Sequence, residues 1–181
     1  MSPASLPVND TAQTFIAYAR ELLGKDYLPK IERSLAQLSD DEVWWRANEE
    51  SNSIGNLLLH LAGNARQWIV CGVGGAADSR VRQQEFDERS KIPRAELLTR
   101  LKQTLAEVDD VLARLDLSLM LERREIQGCD VTILEAIFHV VEHFSMHTGQ
   151  IILLTKMLKG VDLRFYDFSS GAPKKSLESG V

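Results

Sequence analysis

The spacing of apolar residues restricts this chain to a helical fold. In four long segments, apolar side chains recur every three or four residues, which is the period of an α-helix with one buried face. The segments are residues 10–38, residues 53–71, a third that Pro93 opens, and a fourth between Thr132 and Gly160. Because each segment must bury its apolar face against another, we predict an all-α protein with a four-helix bundle fold.

Capping residues indicate where these helices begin and end. Ser53 is a favourable N-cap for the second helix, and Pro93 suits the first position of the third. Thr132 and Glu135 have the spacing of a capping box, so the fourth helix is expected to begin there. Gly160 suits its C-terminal cap.

Other residues predict interruptions and connections. Gly24 and Pro29 are expected to kink or restart the first helix, because proline lacks the N–H that continues the helical hydrogen bonds. The Gly-rich residues 72–79 predict a loop. Residues 121–130 alternate in the manner of a short strand or extended connector.

A chain of 181 residues fits a single domain. We expect residues 1–168 to form it and residues 169–181 to be a disordered tail. The aromatic segment 163–168 follows the fourth helix, and exposed aromatic clusters usually pack on something. We therefore expect this segment to dock on the bundle or across a homodimer.

Composition excludes several classes of partner. The 21 Lys and Arg residues against 26 Asp and Glu give a net charge of −5, which offers no basic surface for nucleic acid or anionic membranes. No apolar run approaches the length of a membrane span, and the N-terminus lacks the features of a signal peptide, so a cytoplasmic protein is expected. Cys71 and Cys129 have no metal-binding or redox spacing and are expected to be reduced thiols.

Three of the four histidines lie on the predicted fourth helix, at His139, His143 and His147. Residues four apart lie along one face, so a neighbouring pair can bind a single metal ion. His139 and His147 are about 12 Å apart along the axis, which prevents all three from sharing one ion. His147 falls inside the apolar arc and His143 near its edge, so burial favours this pair.

The fourth histidine lies on the second helix in a polar stripe beside an apolar one, a pattern typical of a wet interior pocket. We predict that this residue, His60, joins His143 and His147 in a three-imidazole site for divalent zinc, nickel or iron. The other residues expected to line the pocket are Asn56, Asn64, Gln67, His139 and Gln150.

The segments SIGNLLLHLAGNARQWI and HVVEHFSMHTGQI resemble the DinB superfamily, in particular its YfiT-like metalloproteins, over roughly residues 10–165. This is the superfamily of damage-inducible bundle proteins, not the DNA polymerase of the same name. The resemblance implies a four-helix bundle, commonly dimeric, with a metal ligand set that corresponds here to His60, His143 and His147. The family's fourth helix often reads HxxxHxxxHRGQ, so Thr148 stands where arginine is usual.

The resemblance also implies a choice of activities. Some members are thiol-dependent transferases or isomerases that use bacillithiol or mycothiol, and others are described as metal-dependent hydrolases. Glu142 lies about 100° around the helix from His143, so no carboxylate is expected on the ligand face to act as a hydrolytic base. We therefore predict a metal-dependent thiol S-transferase whose substrate is a small molecule, such as a low-molecular-weight thiol. Hydrolysis is the alternative within the family.

Two further hypotheses remain open. Residues 139–143 match the HxxEH pattern of certain zinc metalloproteases, in which His139 and His143 would bind zinc and Glu142 would be the base. The second hypothesis is a non-catalytic bundle that binds a partner. Its histidines would then serve in packing or hold a structural metal. The sequence contains no ExxH motif, which argues against a ferritin-like di-iron site.

Overall fold

A computed structural model describes residues 8–176. The helices in this range are, in chain order, α1 (Val8–Glu21), α2 (Leu28–Leu35), α3 (Asp40–Val43), α4 (Ile54–Ala65), α5 (Arg82–Asp87), α6 (Arg94–Arg114) and α7 (Ile133–Lys159). A π-helical segment, Leu22–Tyr27, joins α1 to α2, and another, Arg66–Val73, extends α4. Four long helical segments result, which confirms the predicted all-α bundle.

The predicted interruption of the first helix is the π-helical segment between α1 and α2. The N–H of Leu28 donates to the carbonyl of Leu23, five residues earlier. Pro29 follows at the start of α2 and supplies no N–H to this series of helical hydrogen bonds. The first helix therefore changes its winding near Gly24 and Pro29 and continues.

Side-chain caps fix the starts of the two helices that carry the histidines. Ser53 and Asn56 form a capping box at the start of α4. Thr132 and Glu135 form the predicted box at the start of α7. Gly160 ends α7 with φ +62°, a left-handed conformation that glycine adopts without a steric penalty. These caps fix the residue at which α4 begins and the residues at which α7 begins and ends.

The core lies where α4 packs against α6 and α7, and where α2 packs against α7. Each fully buried Leu or Ile contributes about 1.5–3 kcal/mol relative to an exposed one. All four long segments contribute core residues with almost no exposed surface: Ile31, Ile54, Leu58, Leu61, Leu97, Leu101, Ile137 and Phe144. This packing brings the histidine-bearing faces of α4 and α7 together.

A β-hairpin packs on the π-helical segment Arg66–Val73 that extends α4. Strand β1 (Arg123–Ile126) pairs antiparallel with β2 (Cys129–Thr132), which confirms the predicted extended segment. Gln127 and Gly128 form the turn, with φ of +55° and +78°. Two consecutive positive φ angles are typical of tight two-residue hairpins. Ile126 is buried, and it fills the space that a side chain at Gly72 would occupy.

The chain after α7 folds back on the first helix. Leu163 is buried, and Nζ of Lys30 lies 3.2 Å from the hydroxyl of Tyr166. Segment 163–168 therefore docks on its own bundle. It continues into strands β3 (Tyr166–Asp167) and β4 (Lys174–Lys175), which pair with each other.

Residues 175 and 176, within the expected tail, contact the first helical segment. Nζ of Lys175 lies 3.0 Å from a carboxylate oxygen of Asp26, and Arg33 donates to the carbonyl of Ser176. Buried Asp26 requires cationic partners, and Lys30 and Lys175 provide them. Residues 177–181 of the expected tail lie outside the described residues. Within residues 8–176, none of the helices is both long and apolar enough to cross a bilayer.

Candidate metal centre

Three histidines meet between α4 and α7. His60 extends from α4, and His143 and His147 lie one turn apart on α7. Nε2 of His143 is 3.0 Å from Nε2 of His60 and 3.1 Å from Nε2 of His147. The ligand nitrogens of the three residues lie within 4.8 Å of one another, so they could hold one metal ion.

The degree of burial within the pair on α7 differs from the helical projection. His143, expected at the edge of the apolar arc, is buried with 9% of its surface exposed, whereas His147 is only half-buried. A projection of one helix does not include its neighbours, and α4 covers the side of α7 that carries His143. His143 therefore lies at the inner end of the cluster and His147 nearer to solvent.

An ion pair between Arg80, just before α5, and Glu85 of α5 holds His60 in place. Nδ1 of His60 donates to Oε2 of Glu85 over 2.9 Å. Arg80 donates to the same carboxylate twice, over 2.7 Å and 2.8 Å. Nη2 of Arg80 also lies 3.1 Å from Nδ1 of His60, but it donates to Oε2 of Glu85 over the shorter distance of 2.8 Å. Because a carboxylate only accepts, the contact with Glu85 places the proton of His60 on Nδ1, and the lone pair of its Nε2 faces the other histidines.

The other two rings complete the ligand arrangement. Nδ1 of His147 lies 2.6 Å from Oε1 of Gln150, an acceptor, so the Nε2 lone pair of His147 also faces the cluster. Nδ1 of His143 is buried without a hydrogen-bond partner. Two Nε2 lone pairs are thus directed at a third Nε2 in a buried space. The single ring proton of neutral His143, placed on Nε2, can serve only one of these two lone pairs, and it leaves Nδ1 of His143 unpaired. A cation could instead be coordinated by all three Nε2 atoms, so the donor set fits a metal ion.

Burial favours the neutral form of His143 and His147, the form in which imidazole binds metals. Burial, together with the neighbouring His147 and His60, lowers the pKa of His143 to about 3. Burial also lowers the pKa of His147, although its hydrogen bond to Gln150 opposes the effect. Burial raises the pKa of Glu85, but hydrogen bonds from Arg80 and His60 outweigh it and hold that pKa below its ordinary value.

His139 lies outside the cluster. Its Nε2 accepts from Nδ2 of Asn64 over 3.2 Å, and its ring packs against Trp68 with 4.0 Å between centroids. Among the described residues, the metal-binding group comprises His60, His143 and His147 without His139. Glu142 is exposed on the other side of α7. The structure therefore gives no support to the HxxEH metalloprotease hypothesis.

Asn56, expected to line the pocket, hydrogen-bonds the short helix α5, which carries Glu85. Its Nδ2 donates to the carbonyl of Glu85 over 2.8 Å, and its Oδ1 accepts from Arg46 over 2.6 Å. Gln67 has a similar position, since it hydrogen-bonds both Asp78 and Arg80. Both amide side chains thus form hydrogen bonds to residues 78–85 of the protein itself.

The remaining pocket residues adjoin the histidines. Gln150 contacts His147, and Asn64 contacts His139 one helical turn from His143. Oδ1 of Asn64 and Oγ1 of Thr148 are both buried, and neither has a hydrogen-bond partner among the described residues. Thr148, at the position where the resembled family often carries arginine, is buried.

Sequence reasoning missed Arg80 and Glu85. Both belong to a stretch rich in charge, residues 80–90, which by pattern is typical of an exposed loop. The short helix α5 within it has no side-chain N-cap, so its formation depends on tertiary contacts such as those from Asn56. Phe86 of α5 packs on His60 with 4.7 Å between ring centroids. Local sequence contains no signal for this contact.

Acid should destabilise the metal-free protein in a defined range. The pKa of His143 is about 3 when folded and about 6.5 when unfolded, so the unfolded chain binds a proton that the folded chain does not. Stability due to neutral His143 is complete above pH 6.5 and is lost as the pH falls towards 3. We expect the free energy of unfolding in chelator to fall by up to about 1.4 kcal/mol per pH unit from this residue.

Urea titrations between pH 7 and 5 would measure this dependence above the range in which most carboxylates titrate. The variant His143→Gln, which cannot titrate, should show a shallower slope. Equal slopes for the two proteins would contradict the prediction.

A comparison with curated proteins finds no match. The family model described as "Protein of unknown function (DUF1572)" matches residues 10–171, and this family is one of the DinB-like superfamily. The matched range includes all four long helical segments and the three clustered histidines. The chain therefore belongs to this family of the DinB-like superfamily.

Proposed function

We propose that this protein is a metal-dependent enzyme of the thiol S-transferase type. In this proposal His60, His143 and His147 bind a divalent zinc, nickel or iron ion, the metals suited to imidazole ligands. The observation that supports it is the convergence of three Nε2 atoms, two of them held by acceptors behind their rings. A divalent ion bound there would lower the pKa of a thiol and hold it as a nucleophilic thiolate.

The carboxylates of the site favour thiol transfer over hydrolysis. A hydrolase needs a base that can reach an attacking water. Within residues 8–176, Glu85 is the carboxylate that hydrogen-bonds the histidine cluster, and both of its oxygens accept from Arg80. Because it lies behind His60, on the side away from Nε2, it is suited to orienting that ring. A thiol that already carries a lowered pKa needs no such base.

The chain's own residues suggest where a substrate would approach. His143 and Phe86 close the inner side, whereas His147 is half-buried and Gln150 is exposed. A cleft of about 260 Å³ lies beside Gln150, and the residues lining it are Ser51, Asn52, Leu57, Gln150, Leu153 and Leu154. It combines leucine side chains with a few polar groups, a composition typical of small-molecule sites. We infer that a small thiol or its electrophilic partner binds there.

Metal analysis followed by a thiol screen tests this proposal. Protein purified without chelator should contain close to one equivalent of zinc, nickel or iron by mass spectrometry, or take it up on addition. The loaded protein should then consume a low-molecular-weight thiol, such as cysteinyl glucosaminides or glutathione, in the presence of a carbon electrophile. Chelated protein should not.

The other outcomes separate the alternatives. Full metal content with ester or amide hydrolysis and no thiol consumption would assign the site to a hydrolase. Full metal content with no turnover of either kind would favour a structural metal. Failure to bind any of the three metals would overturn the proposal.

A further inference from the structure

The three clustered rings differ in what lies behind them. Each presents Nε2 to the other two, so the partner of its Nδ1 fixes which ring nitrogen carries the proton. For His60 that partner is a carboxylate oxygen of Glu85, and for His147 it is the amide oxygen of Gln150. Nδ1 of His143 is buried and has no partner among the described residues. The innermost ring is thus the one without an acceptor behind it.

A buried acceptor that also has no partner lies beside this ring. Oδ1 of Asn64 receives no hydrogen bond from the described residues, and only 3% of the surface of Asn64 is exposed. Nδ2 of the same amide lies 3.2 Å from Nε2 of His139. The ring of His139 in turn stacks on that of His143, with 5.4 Å between centroids and 24° between planes. The amide of Asn64 is therefore separated from His143 by the thickness of one stacked pair.

The packing of α4 on α7 directs these two side chains towards each other. His60 contacts His143, and Asn64, one turn later on α4, contacts His139, one turn earlier on α7. The two helices therefore run antiparallel here. Side chains of an α-helix lean towards its N-terminus. His143 consequently leans towards the level of Asn64, and Asn64 leans towards the level of His143.

The other buried side-chain atom without a partner, Oγ1 of Thr148, lies too far away to serve Asn64. Thr148 is nine residues from His139, which is about 13.5 Å along the axis of α7. Its direction from that axis also differs from that of His143 by about 140°. Among the unpaired side-chain atoms of residues 8–176, Oδ1 of Asn64 and Nδ1 of His143 are therefore the two that can serve each other.

We propose that Asn64 is the positioning residue for His143, and that its Oδ1 accepts the Nδ1 proton of His143 when the cluster binds a metal. Without a metal, neutral His143 carries its proton on Nε2, so Nδ1 and Oδ1 are two acceptors that cannot bond each other. When Nε2 coordinates an ion, the single ring proton is on Nδ1, which becomes a donor. Both buried atoms then gain a partner. This inference rests on the metal site of the proposed function, but not on the thiol reaction.

Competition with a chelator for zinc, nickel or iron tests the role of Asn64 in the full chain. Asn64→Leu, which has a side chain of similar size without an acceptor, should bind the metal about 10–100-fold more weakly than wild-type protein. Asn64→Asp retains an acceptor and should bind it at least as tightly as wild-type protein. Unchanged affinity in Asn64→Leu, or equal losses in both variants, would overturn the role of Asn64.

Two controls separate Oδ1 of Asn64 from its surroundings. His139→Ala removes the partner of Nδ2 and leaves Oδ1 in place, so its metal affinity should equal that of wild-type protein. Thr148→Val removes the other buried, unpaired oxygen and should also have no effect. A loss in either control as large as that in Asn64→Leu would overturn the assignment to Oδ1. Wild-type protein that binds none of the three metals would instead overturn the metal site itself, and this inference with it.

A spectroscopic test uses wild-type protein alone and so does not depend on the folding of any variant. On addition of zinc, the side-chain carbonyl carbon of Asn64 should shift in nuclear magnetic resonance spectra, because Oδ1 gains a donor. The same carbon of Asn56, whose Oδ1 already accepts from Arg46, should not shift and is the internal control. An Asn64 signal that does not move in zinc-loaded protein would overturn the hydrogen bond while leaving the metal site intact.

Discussion

Replacing His143 with alanine is expected to abolish tight metal binding and to remove the stabilisation that the metal provides. A ligand present at a thousand times its dissociation constant stabilises a protein by about 4 kcal/mol. For a chain of this size that corresponds to a difference of about 10 °C in melting temperature. Thermal melts with metal and with chelator should therefore differ for wild-type protein and coincide for His143→Ala. Comparing each variant with itself removes the effect of the cavity that alanine leaves.

The same result is expected for His60→Ala and His147→Ala. His139→Ala is the matched control, since it removes an imidazole of the same helix that stacks on His143 but whose Nε2 accepts from Asn64 and points away from the ligand group. It should retain the metal. Loss of metal with His139→Ala and Glu142→Ala, but not with His147→Ala, would instead favour the HxxEH metalloprotease. Melting temperatures unaffected by chelator in every protein would contradict a metal site of any kind.

Replacing Glu85 with alanine is expected to be among the most destabilising single changes in the chain. The side chains of Arg80 and Glu85 are 7% and 12% exposed, so the variant leaves a buried guanidinium without its carboxylate. Loss of one partner from a buried ion pair costs about 3–5 kcal/mol. His60 also loses the acceptor that orients it, which should weaken metal binding about 10–100-fold. Urea unfolding of metal-free protein and competition with a chelator measure the two effects separately.

Two variants make this prediction specific. Asp130→Ala breaks the exposed ion pair with Arg123 and should cost less than about 1 kcal/mol. The double variant Arg80→Ala/Glu85→Ala should recover part of the lost stability, because no buried charge remains unpaired, yet its metal affinity should stay weak. A cost below 1 kcal/mol for Glu85→Ala would mean that the pair is not buried in solution. Unchanged metal affinity would mean that Glu85 does not position His60.

The sequence by itself determined the bundle and the identity of the clustered histidines. Apolar periodicity and caps such as Ser53 and Thr132 are local signals, because a helix is formed by contacts between residues three or four apart. The spacing of His143 and His147 is also a local signal, because residues four apart lie one turn from each other on the same face of a helix. His60 was predicted from its polar stripe, and packing of α4 on α7 brings it to them.

The tertiary structure alone decided how that cluster is supported. Glu85 is 25 residues from His60 along the chain, in a charged segment whose own pattern favours solvent. Its burial depends on the ion pair with Arg80 and on the hydrogen bond from Asn56 to its backbone carbonyl. Asn56 and His60 are far from Glu85 in the sequence, so no local pattern predicts these contacts. The hydrogen-bond partners of Asn56 and Gln67 also come from tertiary packing. A polar stripe predicts that hydrogen bonds must form, but only the neighbours that packing supplies determine whether the partner is a substrate or the protein's own loop.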